Sequence, residues 1–172
     1  VIFIPMKKVI SSLAIARYYL NVELGKPFKA DTSRKNLQAF ISSLEVNELW
    51  SLLELVSEDY RKNRIYKLLH NPQYTWQEEP ISIRDIKLGE VNKKVKKYLE
   101  EAQYSPLKFK EILSHNVSIK ELEEFQPREV DVNERTFIFL YTDNKYKIID
   151  GTHRLMSLVQ QGVEITQGFV YT

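Results

Sequence analysis

Tyr146-Lys147-Ile148-Ile149-Asp150-Gly151-Thr152-His153-Arg154-Leu155 is the densest stretch of the chain. An alternating run leads into Asp-Gly, and polar residues then open a helical pattern that closes at Gly162. A strand, a glycine turn and a helix follow one another with no linker. At such a junction free backbone N–H groups and the positive end of the helix dipole face whatever lies at the strand end. His153 and Arg154 add donors suited to phosphate oxygens. Asp150 supplies an oxygen able to hold Mg²⁺ or to orient a substrate hydroxyl or amine. The same residues also fit a plainer role, with Thr152 as a helix cap and His153 and Arg154 solvated.

Outward from this stretch the pattern is regular. Thr136–Tyr141 and Tyr146–Ile149 read as strands around the turn Thr142-Asp143-Asn144-Lys145. Thr152–Gln161 reads as a helix and Val163–Tyr171 as a last strand. Upstream, Ile81-Ser82-Ile83-Arg84-Asp85-Ile86 alternates as a half-buried strand does. Val91, Val95, Leu99 and Ala102 then predict a helix. Two short helices follow from Pro106 and Ser118, the second with the capping-box spacing Ser118-Ile119-Lys120-Glu121. The order is β-α-(α-α)-β-β-α-β.

On these residues the segment from Ile149 through Gly162 to the final strand resembles the hallmark of the ParB/sulfiredoxin superfamily. Ile83-Arg84-Asp85-Ile86-Lys87-Leu88-Gly89-Glu90-Val91 and the predicted helix Asn92–Gln103 resemble that family's first strand, acidic loop and first helix. The resemblance covers residues 81–172, with a two-helix insertion around 105–130. Sulfiredoxins carry a cysteine just before His-Arg; here Thr152 stands there and the chain has no cysteine. Partition proteins carry a Gly-Glu-Arg-Arg-like turn for CTP, one arginine more than Gly151-Thr152-His153-Arg154. The free-serine-kinase branch has an Asp-Gly-His-His-Arg-like turn, which Asp150–Arg154 matches but for Thr152. That resemblance implies Glu90 as general base on a substrate hydroxyl, and Asp150 holding substrate or metal. It also implies a phosphate cradle of Gly151, Thr152, His153 and Arg154, with Mg²⁺ and ATP or ADP. Apart from the resemblance, Glu90 is equally a surface acid favouring the start of the next helix.

Residues 6–70 read as helices. Val9, Ile10, Leu13, Ala16 and Leu20 recur at helical spacing, with Arg17 as a polar exception, and Asn21–Ala30 breaks the pattern. Asp31-Thr32-Ser33 offers caps for a second helix bearing Leu37, Phe40, Ile41 and Leu44. A third stripe runs from Leu49 through Tyr60 to Leu69, and His70-Asn71-Pro72 stops it. The expected organisation is a helical extension over 1–75 and a ParB/sulfiredoxin-like α/β domain over 76–172 with a small mixed sheet, an α+β chain.

Arg61, Arg64 and Lys67 lie on one helix face beside Tyr60 and Tyr66, an arrangement suited to nucleic acid or simply to a solvated face. Lys93-Lys94-Val95-Lys96-Lys97 is a second basic cluster, followed by Glu100 and Glu101 at ion-pair spacing. The chain's 25 Lys+Arg against 23 Asp+Glu give a net charge of +2, so no global field attracts a polyanion. Any anion binding must be local. The longest apolar run, Val1–Met6, is too short to cross a bilayer, so a cytoplasmic protein with no membrane partner is expected. The expected partners are a nucleotide and a small-molecule substrate. The alternatives are a ParB-like nucleic-acid-binding module, or a domain that kept the fold without catalysis and binds a partner.

Overall fold

The computed structural model describes residues 7–56, 60–116 and 118–171, with residues 60–63 described by their backbone alone. The fold is α+β. It divides into two compact units, 9–76 and 1–8 with 77–172. The boundaries fall inside β1 (Lys8–Ile10) and at the head of β2 (Trp76–Ser82).

The first unit holds α1 (Ser12–Gly25), α2 (Asp31–Ser43), α3 (Val46–Val56) and α4 (Tyr60–His70). Ile15, Ala16, Tyr19, Leu20, Ile41, Leu49, Leu53, Ile65 and Leu69 make its core. Val9 and Ile10, expected in the first helix, lie in β1 instead, and α1 begins where Ser11 accepts the Ala14 N–H at 3.2 Å. Apolar spacing alone could not set that boundary; the serine cap does. Helix α1 also continues to Gly25, past the expected break at Asn21. The polar exception Arg17 now has a purpose. Its guanidinium donates to the carbonyls of Ile41 and Leu44 at the end of α2, where the Ile41 carbonyl also accepts the Leu44 N–H at 3.3 Å. At the other end of α2, Ala30 is the cap and no side chain serves it, so the expected Asp-Thr-Ser cap is not made.

The second unit is built on a mixed sheet in the order β1-β2-β6-β4-β5-β3. Its later strands are β3 (Ile86–Lys87), β4 (Thr136–Thr142), β5 (Lys145–Asp150) and β6 (Ile165–Tyr171). Strand β4 is antiparallel to β5 and parallel to β6, while β3 is parallel to β5. The β4–β5 turn has Asp143 and Asn144 at φ 52° and 60°, the left-handed pair that a two-residue hairpin requires. Phe137, Ile138 and Phe139 are all buried, as befits a strand covered on both faces.

The expected strand Ile81–Ile86 is interrupted. Residues Ile83–Asp85 form a 3-10 turn, which Ile83 anchors by donating its N–H to the Glu164 carbonyl at 2.9 Å. Three residues per turn return Ile86 to the side of Ile83, so the apolar spacing survives a change of backbone. The consequence is large. One continuous segment, 76–87, lies beside β6 at one end and beside β5 at the other, so the two sides of the sheet curl toward each other. Gly168 on β6 sits inside the curl, where a Cβ would come within 2.3 Å of Ile81 Cδ1 and 2.7 Å of Phe139 Cδ2.

Helix α5 (Lys96–Glu101) is shorter than the expected 92–103. Asn92 Oδ1 accepts the N–H groups of Lys94 and Val95 at 2.9 and 3.3 Å, a local turn that competes with helix. The insertion holds α6 (Pro106–His115), capped by Ser105, and a 3-10 turn over Lys120–Phe125 where a helix from Ser118 was expected. Helix α7 (Thr152–Gln160) carries six consecutive buried residues, Arg154 to Val159, through the middle of this core.

At the far end of the curl from Asp150, the Tyr146 hydroxyl donates to buried Glu79 at 2.7 Å, and Lys7 lies 3.6 Å from the other carboxylate oxygen. Burial first, then the hydrogen bond and charge of Glu79, push the Tyr146 phenol well above its ordinary value. The neutral phenol is the favoured folded form. Its contribution is complete below the unfolded-state value near 10 and is lost as the pH rises past it. Tyr146→Phe is therefore expected to be less stable than the wild type at pH 7, by about 1–3 kcal/mol, and the gap should narrow above pH 10. Urea midpoints across that range test this; a gap that stays constant to pH 11 would show that the phenol titrates normally.

Candidate functional site

The site begins with glycine chemistry. Gly151 adopts φ +99°, and a Cβ there would lie 2.6 Å from Phe137 Cδ1 and 2.8 Å from Arg154 Nη2. Only glycine fits both the angle and the space. Gly151 is the N-cap of α7 and makes no side-chain cap hydrogen bond; the helix dipole gives that end positive character.

Asp150 closes β5 beyond a break in the ladder, where the register against β4 shifts between Ile138, which pairs with Asp150, and Phe139, which pairs with Ile148. Its Oδ2 accepts from Arg154 Nη2 at 3.1 Å, across one helical turn. Arg154 is only 7% exposed; its Nη1 donates to the Glu134 carbonyl at 2.5 Å and its guanidinium lies 5.1 Å from the Phe137 ring centre. Sequence reasoning placed Arg154 among phosphate ligands. In the fold it fastens the turn to β4 and to the loop before it.

His153 projects differently. Its ring stacks on Phe125 with centroids 4.6 Å apart and planes at 16°, and Nε2 lies 3.2 Å from Glu124 Oε2. Glu124 Oε1 in turn accepts the Asn92 amide N–H at 2.5 Å. A chain of contacts thus runs from the Asn92 turn through the insertion to the first turn of α7. Asn92, Lys94, Lys120, Glu121, Glu123 and Glu124 line a cleft of about 550 Å³ beside it. Sequence reasoning missed Asn92 and Glu124; nothing in their spacing signals that an insertion folds back onto the turn.

Glu90 is exposed and makes no hydrogen bond or ion pair among the described residues. The parallel register Ile86↔Tyr146 and Lys87↔Lys147 nevertheless brings its loop to the strand end that carries Asp150. Consistent with that, a Cβ at Gly89 would stand 3.3 Å from the Ile148 carbonyl. Thr152 is half-buried as the first residue of α7.

The expected Mg²⁺ at Asp150 has a thin donor set. Asp150 is bound to a guanidinium, and no group of three or more metal-ligating side chains occurs among the described residues. Of the residues expected to touch nucleic acid, Arg64 and Lys67 are exposed on α4, and the side chain of Arg61 lies outside the described residues. In the other basic cluster Lys96 pairs with Glu100 at 3.9 Å. No helix among the described residues is long and apolar enough to cross a membrane.

Neither protein-family models, curated proteins nor solved structures gave a match to this chain.

Proposed function

We propose that residues 77–172 form a ParB/sulfiredoxin-like, nucleotide-dependent phosphotransferase that acts on the hydroxyl of a small metabolite, with ATP or ADP as donor. The observation that supports this most is the parallel pairing of β3 and β5, which carries the Glu90 loop and the Asp150–Gly151 turn to one end of the sheet, beside the glycine-capped start of α7. Phosphoryl transfer needs mainly positioning and charge neutralisation, with a carboxylate at the attacking oxygen. In this assignment the first-turn amides of α7 and His153 take phosphate oxygens, and Lys94 and Lys120 neutralise charge from the cleft. Glu90 receives the acceptor proton. Asp150 and Arg154 position the turn through their ion pair, and Arg154 does not itself meet phosphate. Mg²⁺, where required, arrives on the nucleotide's own phosphates.

Calorimetric titration with ATP and ADP, each with and without Mg²⁺, tests the assignment. Saturable binding is expected, and His153→Ala should weaken it by about 1.5–3 kcal/mol, the worth of one charged hydrogen bond. Absence of binding by both nucleotides would end the proposal.

A further inference from the structure

Helix α4 of the 9–76 unit concentrates one kind of chemistry on its solvent side. Tyr60–His70 contains four Lys or Arg residues and no Asp or Glu. At 3.6 residues per turn, Arg64, Lys67, His70 and Tyr66 fall in that order on a continuous arc of about 160°. Ile65 and Leu69, 3% and 1% exposed, occupy the opposite side and complete the helix's share of the core. The arc is therefore not needed for packing. Arg64, Lys67 and His70 are exposed and Tyr66 is half-buried.

The rings on this arc form a platform. Tyr66 stacks on His70 with centroids 5.3 Å apart and planes at 10°, and Trp50 from α3 meets His70 edge-on at 4.9 Å and 80°. Trp50 is likewise only half-buried. Three aromatic rings thus gather at the rim of the core, next to two exposed cations. Glu54, one turn along α3 from Trp50, is exposed.

We infer that this face binds single-stranded nucleic acid, with unpaired bases stacking on the Trp50–His70–Tyr66 platform and phosphates meeting Arg64 and Lys67. Each half of the chemistry calls for the other. Rings at the surface match the π-faces of unpaired bases, and neighbouring cations match the backbone that joins them. A duplex would offer phosphates but keep its base faces stacked, leaving the rings unused. The site shares no residue with the proposed phosphotransferase centre, and either can fail without the other.

The chain's two tryptophans provide the readout. Trp76 is 1% exposed, so quenching by a stacked base reports on Trp50. The full chain is titrated with an oligothymidylate of about twelve nucleotides, following tryptophan fluorescence and anisotropy of a labelled strand at several salt concentrations. The wild type should bind with quenching. Tyr66→Ala and Trp50→Ala should each weaken binding at least about fivefold, the low end of one lost base stack. The double variant Arg64→Gln/Lys67→Gln, at exposed positions, should reduce the salt slope by about 1.4, two phosphate contacts on a single strand. No binding at low salt would overturn the inference. So would binding that these variants leave unchanged, or equal affinity for heparin or a duplex, which would mean simple polyanion attraction.

Discussion

Replacing Arg154 by alanine is expected to lower the unfolding free energy by about 3–5 kcal/mol, the cost of removing one partner from a buried pair. The guanidinium is held by Asp150, by the Glu134 carbonyl and by the face of Phe137. Its loss leaves a carboxylate whose side chain is only 22% exposed and a carbonyl without its donor. Arg154→Lys should recover only part, because an ammonium cannot fork to both oxygens in this geometry. Urea denaturation followed by circular dichroism decides the matter. A loss below about 1 kcal/mol, the worth of a surface pair, would place the guanidinium in solvent and return it to the phosphate ligands. The ordering of effects is informative in itself. If Arg154 positions the turn, nucleotide affinity at temperatures where the variant stays folded should fall less than stability does.

The second large effect concerns Glu90. Under the proposed phosphotransferase activity, Glu90→Gln should lower turnover by about 10²- to 10⁴-fold, the range for a lost general base. Nucleotide affinity should stay nearly unchanged, since the carboxylate acts on the acceptor. The residue is exposed and unbonded among the described residues, so folding should be untouched and the kinetic comparison clean. Coupled assays across candidate hydroxylated acceptors, with affinity measured separately, test both halves. Wild-type turnover in the variant would remove Glu90 from the mechanism; lost affinity would move it to the nucleotide.

How much of this was legible in the sequence differs element by element. The β4–β5 hairpin and α7 are local features, set by Asp143-Asn144, by Gly151 and by the closing Gly162, and they stand where the residue pattern puts them. The α+β class follows from the same patterns. The 3-10 turn at Ile83–Asp85 was not read, because the alternation of Ile81 and Ile83 drew attention from the step of three to Ile86 that marks it. Neither was the contest between Asn92 and the start of α5, since an asparagine reads equally well as a cap. The site divides along the same line. Asp150, Gly151 and His153 are recognisable by type and spacing. That Arg154 is buried depends on Phe137 and Glu134, which reach it only through the fold. Glu124 meets His153 across 29 residues, a distance at which no local pattern carries information.

The placing of β6 bears on how the protein can be made. Residues 165–171 lie between β2 and β4, so an interior strand of the sheet is the last of its strands to leave the ribosome. Until then β4 and β5 can pair as a hairpin, but Phe137, Ile138 and Phe139 have no neighbour on their other side. The helical unit 9–76 draws its contacts from its own residues and can settle while synthesis continues. The nascent α/β unit must wait with an apolar strand uncovered, which is when a chaperone has something to hold. A ribosome stalled shortly after the codon for residue 160 should therefore carry a folded amino-terminal unit and a protease-sensitive remainder.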